Sequence, residues 1–221
     1  MSIYYLGVSH IMTHCPKSIL VMNSIYIYLN YIYIAYKKMN IIRCKIALVG
    51  DPRVGKTNMV SQLVKNSFND TYQTTLGIDY NQYEVKIKDT NYTVQFHILD
   101  FTGFSVFREL LNNQIKDVNF ILYVYDSTNL ESFTNIKLWK MSIQELLTKK
   151  NVVEYLVGNK SELPEKVVTD KTSVAAMADN LKLKSWSVSA RTLLNLKEMF
   201  EEMANTYYKN YKSFIDKVSK L

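Results

Sequence analysis

From Ile42 onward the hydrophobic pattern switches repeatedly between a period of two and a helical period. Residues 42–49 alternate and then turn fully apolar, as a buried strand does, and 58–65 carry Met59, Leu63 and Val64 on one helical face. Residues 68–77 are polar and turn-rich without a regular period, so they read as a loop. Alternation returns over 79–88, with Tyr83, Val85 and Ile87 on one face, and again over 92–99; the turn formers Asp89, Thr90 and Asn91 between them predict an antiparallel hairpin. A short helix follows over 108–116, then a continuous apolar strand over 119–125 that belongs inside a parallel sheet. One long helix is expected over 131–149, with Phe133, Ile136, Trp139 and Ile143 as a stripe of core contacts and nothing more. A strand over 151–157, a helix over 172–180, a strand over 184–188 and a last helix from about Asn195 complete the pass. Strands alternating with helices predict a three-layer α/β fold: six strands, mostly parallel with one antiparallel, covered by helices on both faces, with the ligand outside the carboxyl ends of the strands.

Composition narrows this picture. At 221 residues, 48% hydrophobic and 21% charged, the chain suffices for one such domain and is too short for two generous ones. Cys15 and Cys44 are its two cysteines; they offer neither a disulfide framework nor metal-ligand spacing, so an intracellular, cytoplasmic protein is expected. Net charge is +7, but Lys17, Lys37 and Lys38 lie before residue 39, where no acid does, so three of those units belong to the leading segment. The remainder is too mild to argue for nucleic acid.

Residues 1–38 differ in kind, with an apolar run over 19–36 flanked by Lys17 and Lys37-Lys38. A membrane anchor approaches the required ~20 residues but is weakened by Asn23, Ser24, Asn30 and five tyrosines. A signal peptide lacks its compact apolar core and small-residue cleavage site. The third reading, which is preferred, takes Met39 as the working start, because the first strand begins just after it. The expected organisation is an extension over 1–38, a domain over 39–208 and a helical extension over 209–221.

The candidate chemistry begins at Gly50-Asp51-Pro52-Arg53-Val54-Gly55-Lys56-Thr57, a match to the phosphate-binding loop between a strand and a helix. Gly50 and Gly55 let successive amides turn toward one anion, Lys56 adds a cation for the outer phosphates, and the Thr57 hydroxyl is placed to ligate Mg²⁺. Asp100-Phe101-Thr102-Gly103 sets an acid at the end of an apolar strand with a glycine three residues on, which after a phosphate loop suggests a magnesium-shell acid and a backbone amide for the terminal phosphate. Gly158-Asn159-Lys160-Ser161-Glu162 and Ser189-Ala190-Arg191 reach the same end of the sheet.

Gly50, Lys56-Thr57, Thr75, Asp100, Gly103, Asn159-Lys160, Glu162 and Ser189-Ala190-Arg191 together resemble the five nucleotide motifs of Ras-superfamily small GTPases, over about 41–208. Residues 76–80 and 106–110 are most like the Rab branch. The resemblance implies a phosphate-loop NTPase fold that binds GTP or GDP with Mg²⁺. Pro52, Arg53, Val54, Gly55, Lys56, Thr57 and Asn58 would surround the phosphates, Phe68 would stack edge-on against guanine, and Thr57, Thr75 and Asp100 would serve the metal. Asn159 and Lys160 would flank the base, Glu162 would accept from its N–H pair, and the Ala190 amide, between Ser189 and Arg191, would meet its carbonyl oxygen. Lys56, Thr75 and Gly103 would be the groups at the reacting phosphate.

Three departures qualify the likeness. Glu162 stands where the family has Asp, one methylene longer. Phe104 and Ser105 replace the water-positioning glutamine and the acid after it, so hydrolysis is expected to be slow. The chain closes on Lys217-Val218-Ser219-Lys220-Leu221 without a cysteine, so no prenyl anchor and at most indirect membrane contact are expected. With Asp51-Pro52-Arg53 in the phosphate loop, the pattern is similar to the Rab-like small GTPase of intraflagellar transport. That implies a switch that binds a protein effector or transport-complex subunit, with the last helix as a candidate surface, at a ciliary or endomembrane location. The alternative is a vesicle-traffic Rab whose hydrolysis a partner completes. The apolar stripe Phe200, Met203, Tyr207, Tyr208, Tyr211, Phe214, Ile215 and Val218, running past where the core should end, fits such a partner.

Overall fold

A computed structural model describes residues 40–103, 114–148, 151–163 and 170–219, together with Tyr26, Tyr28 and Leu29. The chain divides into two units, Met1–Ile41 and Ile42–Leu221. In the first, Tyr26, Tyr28 and Leu29 are helical and exposed. The rest of 1–38, Phe104, Ser105 and most of the helix expected over 108–116 lie outside the described residues.

In chain order come β1 (Ile41–Val49), α1 (Lys56–Lys65), β2 (Ile78–Lys86), β3 (Thr93–Phe101) and β4 (Phe120–Asp126). These are followed by α2 (Leu130–Thr134), α3 (Ile136–Gln144), β5 (Val153–Asn159), α4 (Lys171–Leu181), β6 (Lys184–Ser187) and α5 (Leu196–Val218). The six strands form one sheet in the order β2-β3-β1-β4-β5-β6. β2 pairs antiparallel with β3, as the hairpin pattern predicts, while β1–β4, β4–β5 and β5–β6 pair in parallel.

Alternation along the strands builds a core on each face. Ile42, Ile46 and Leu48 of β1 turn to one side, against Met59 and Leu63 of α1 and Met199, Phe200 and Met203 of α5. Ala47 and Val49 turn to the other, where Phe133, Ile136, Trp139 and Ile143 of α2 and α3 and Met177 of α4 cover them. β4 is buried along its whole length, as a strand covered on both faces must be.

One element differs from expectation. The single helix predicted over 131–149 is two pieces that meet at Asn135, the second ending at Gln144. Asn129 caps the first piece, its side chain accepting from the amides of Glu131 and Ser132. At the junction Asn135 turns its side chain to Asp51, 84 positions earlier, a tertiary partner that no local pattern could reveal. β1, β4 and β5 end side by side, Val49 in register with Tyr123 and Asp126 with Asn159, so the loops that follow them gather at one edge.

Candidate functional site

The loop after β1 has the backbone its glycines were expected to supply. Gly50 and Gly55 take φ of 143° and 95°. A Cβ on Gly50 would collide with the Val124 carbonyl and one on Gly55 with the Asn159 side chain. α1 starts at Lys56, and no side chain caps the amides of its first turn, so its N-terminal donors remain for an anion. Lys56 is 6% exposed. Its ammonium donates to the carbonyls of Gly50 and Asp51, each at 2.8 Å, which leaves the third of its three hydrogens. Burial pushes its pKa down to about 8, against the opposing pull of Asp100 and Asp51.

Beside it, three oxygens converge. The Thr57 hydroxyl donates to Asp100 Oδ2 at 2.6 Å and lies 3.0 Å from the Thr75 hydroxyl. Asp100 Oδ1 is buried without a hydrogen-bond partner. Burial lifts the Asp100 carboxyl to about 6; the Thr57 hydrogen bond and Lys56 draw it back, and Asp79 adds to the rise. Two hydroxyls and one carboxylate are hard oxygen donors, and no described cluster of His, Cys, Asp or Glu could hold a metal alone. The donor set therefore fits Mg²⁺, which keeps water and takes substrate phosphates rather than a full protein cage. Gly103 lies so close to Asp51 and Pro52 that a Cβ there would strike their backbone, which is why this turn needs a glycine.

The base-side loops are tied to the phosphate loop by Asn159. Its Nδ2 donates to the Val54 carbonyl at 2.9 Å and its Oδ1 accepts from the Ala190 amide at 2.9 Å. One Nδ2 hydrogen remains for a ligand. The Ala190 amide, expected to meet a guanine carbonyl, is already engaged, so it would have to share its hydrogen. Ser189 is fully buried and its hydroxyl accepts from the Thr192 amide at 3.0 Å, which shapes the turn. Glu162 keeps Oε2 buried and unpartnered. Its Oε1 lies 4.0 Å from Arg191 Nε. The Arg191 guanidinium stands 4.8 Å above the Phe68 ring and pairs with Asp70. The Asn58 amide donates to the Asn69 carbonyl at 2.9 Å. Arg53, at φ 65°, holds its guanidinium 5.1 Å above the Tyr72 ring.

Four contributors escaped the sequence reading. The Asp51 carboxylate accepts from Asn135 Nδ2 and Trp139 Nε1, each at 2.8 Å, so Trp139 is more than a core contact. Asp126 accepts from Lys160 Nζ at 2.5 Å and from the Thr128 amide at 2.9 Å, which fixes Lys160 beside the pocket. An acid closing an apolar strand was a usable signal for Asp126, the same one that marked Asp100.

A family model described as the Ras family matches residues 45–209. Ras-related protein RabG2 of Dictyostelium discoideum is 31% identical over 167 residues, which cover 76% of this chain and 83% of the relative.

Proposed function

The chain belongs to the Ras family of small GTPases and is Rab-like, and on that footing we propose that it is a guanine-nucleotide-gated binding switch in intracellular transport, slow to hydrolyse its own GTP. The Thr75 hydroxyl carries this reading. It lies 3.0 Å from the Thr57 hydroxyl, so the loop over 66–77 brings its own oxygen to the cation site, and whatever occupies that site sets the loop's shape. A protein partner would read that shape. Thr57, Thr75 and Asp100 would hold Mg²⁺, which would supply positive charge against the phosphates. The amides of the phosphate loop and α1 and the Lys56 ammonium grip the phosphates, and Gly103 brings a backbone amide to the outermost one. Asn159, Lys160 and Glu162 hold guanine, with Phe68 at its edge. An ionised carboxylate is acceptor-only, so the free Glu162 oxygen favours a base that presents two donors.

Nucleotide released by denaturing the purified full chain tests the reading. Guanosine di- or triphosphate is expected; adenosine phosphates, or no nucleotide together with no heat on titration with GTP and magnesium, would overturn it. Slow hydrolysis rests on Phe104, which has no group to orient water, so Phe104→Gln should speed single-turnover decay of GTP. Decay of the unchanged protein at about 10⁻⁴ to 10⁻³ per second, the ordinary intrinsic range, would favour the vesicle-traffic alternative. The narrower reading, a place in intraflagellar transport, is supported by Pro52 and Phe104 and is tested by co-purification with a ciliary transport complex. Among the described residues no helix is long and apolar enough to cross a membrane.

A further inference from the structure

Arg53 occupies a costly place in the phosphate loop. Its φ of 65° lies in the left-handed region, which glycine enters freely and a branched-off side chain enters at a cost of about 1–2 kcal/mol. The turn of the phosphate loop fixes that angle, so the arginine side chain leaves the backbone in a set direction. The side chain is exposed, and its guanidinium stands 5.1 Å above the ring of Tyr72.

Tyr72 belongs to the loop over 66–77, three residues before Thr75. That loop is anchored at its start by Asn58 on Asn69 and by Arg191 on Phe68 and Asp70, and at its end by Thr75 on Thr57. In its middle the Thr71 amide donates to Asn69 Oδ1 at 2.9 Å, and among the described residues Arg53 on Tyr72 reaches back to the phosphate loop. The platform beneath Arg53 is stiff. Pro52 fixes one backbone angle, the Asp51 carboxylate is held by Asn135 and Trp139, and the Gly103 backbone is pressed against Asp51 and Pro52. A cation launched from a rigid base onto an aromatic ring in the middle of that loop is a clasp.

We propose that Arg53 is a positioning residue that, through the face of Tyr72, holds the middle of the 66–77 loop closed over the nucleotide pocket and so sets how long bound nucleotide stays. The proposal rests on the guanine-nucleotide reading above. The attraction is between a guanidinium and a ring face, so it needs the charge and the ring and is indifferent to the Tyr72 hydroxyl. At an exposed position such a contact changes a rate by about two- to fivefold.

The test follows release of a fluorescent GTP analogue from the magnesium-loaded full chain after mixing with excess unlabelled GTP. Arg53→Gln and Tyr72→Leu should each speed release by about two- to fivefold, the double variant should be no faster than either, and Tyr72→Phe should stay close to the unchanged protein. That pattern is a coupling between two named groups, which a general loosening of the fold does not give. Independent multiplication of the two effects in the double variant would overturn the proposal. So would Tyr72→Phe releasing as fast as Tyr72→Leu, or Arg53→Gln releasing no faster than the unchanged protein. An Arg53→Gln chain that binds no nucleotide while Tyr72→Leu binds normally would overturn it too, because the arginine would then act on the ligand directly. An unchanged protein that neither carries nor binds guanine nucleotide removes the function beneath the proposal, and that result is read before any variant is compared.

Discussion

Asp100 and Lys56 are both displaced toward their neutral forms by burial, Asp100 upward from 3.8 to about 6 and Lys56 downward from 10.5 to about 8. In the nucleotide-free protein the Asp100 contribution is fully present below its unfolded value and is lost as pH rises toward 6. The Lys56 cost applies at every pH below about 8 and is relieved between 8 and 10.5. A site strained in this way is relieved by a ligand that brings a divalent cation to the carboxylate and phosphates to the ammonium. A cation favours the ionised carboxylate, so protons and Mg²⁺ compete for Asp100, and the magnesium concentration needed to slow nucleotide release should rise as pH drops below about 6, the value of the metal-free site. Release measured with excess chelator supplies the baseline, since protonation of the phosphates acts in both conditions. A magnesium effect that grew on acidification would show Asp100 outside the cation's reach. Glu162 offers a second check. Glu162→Gln places an amide N–H against donors of the base, so guanine affinity should fall by roughly ten- to a hundredfold, the value of a hydrogen bond to a charged group at about 1.5–3 kcal/mol. Calorimetric titration with GDP reads it, and unchanged affinity would place the base elsewhere.

At the scale of elements, α2 and α3 show what a sequence yields and what it hides. Their stripe of Phe133, Ile136, Trp139 and Ile143 is legible because burial imposes a helical period, and all four side chains are in the core. The joint at Asn135 and the second duty of Trp139 are not legible, because the group they serve, the Asp51 carboxylate, is 84 and 88 positions away. The glycine at 103 was expected for the approach of its amide to a phosphate; the backbone of Asp51 and Pro52 packed against it is a separate reason that no spacing displays. The phosphate loop, by contrast, is a local object whose residues are contiguous, and its conformation follows from them. Trp139→Phe keeps most of the ring in the core but leaves Asp51 short of one donor. It should cost about 1–3 kcal/mol, the price of an unsatisfied polar group, in urea unfolding at saturating GDP. It should also speed nucleotide release, since Asp51 supplies a carbonyl to Lys56. A stable variant with unaltered release would reduce the Asp51 bonds to surface ornament.

For the molecule as a whole, α5 decides where the folded unit stops. Phe200 is fully buried, edge-on to Phe96 at 5.4 Å and to Tyr83 at 5.7 Å, and so ties the last helix to both strands of the hairpin. Tyr208 and Tyr211 still reach Tyr92, at 5.1 and 6.2 Å between ring centroids. Beyond them the same stripe continues into solvent, with Phe214, Ile215 and Val218 at 63%, 43% and 51% exposure. The stripe itself was visible in the sequence, because periodicity is local. Its division into a packed part and a bare part was not, because the hairpin supplies the packing surface and its reach along α5 depends on where Tyr92 sits. The division has a thermodynamic consequence. Phe200→Ala should cost about 3–5 kcal/mol, as emptying an aromatic from a close-packed core does, whereas Phe214→Ala should stay within about 0.5 kcal/mol. Both are read by chemical unfolding at the same saturating nucleotide concentration, because ligand binding itself shifts the midpoint. A comparable loss from Phe214→Ala would mean that the end of the helix is covered in solution, by its own domain or by a second copy. Dilution separates those two, since only cover by another copy weakens as the protein concentration falls.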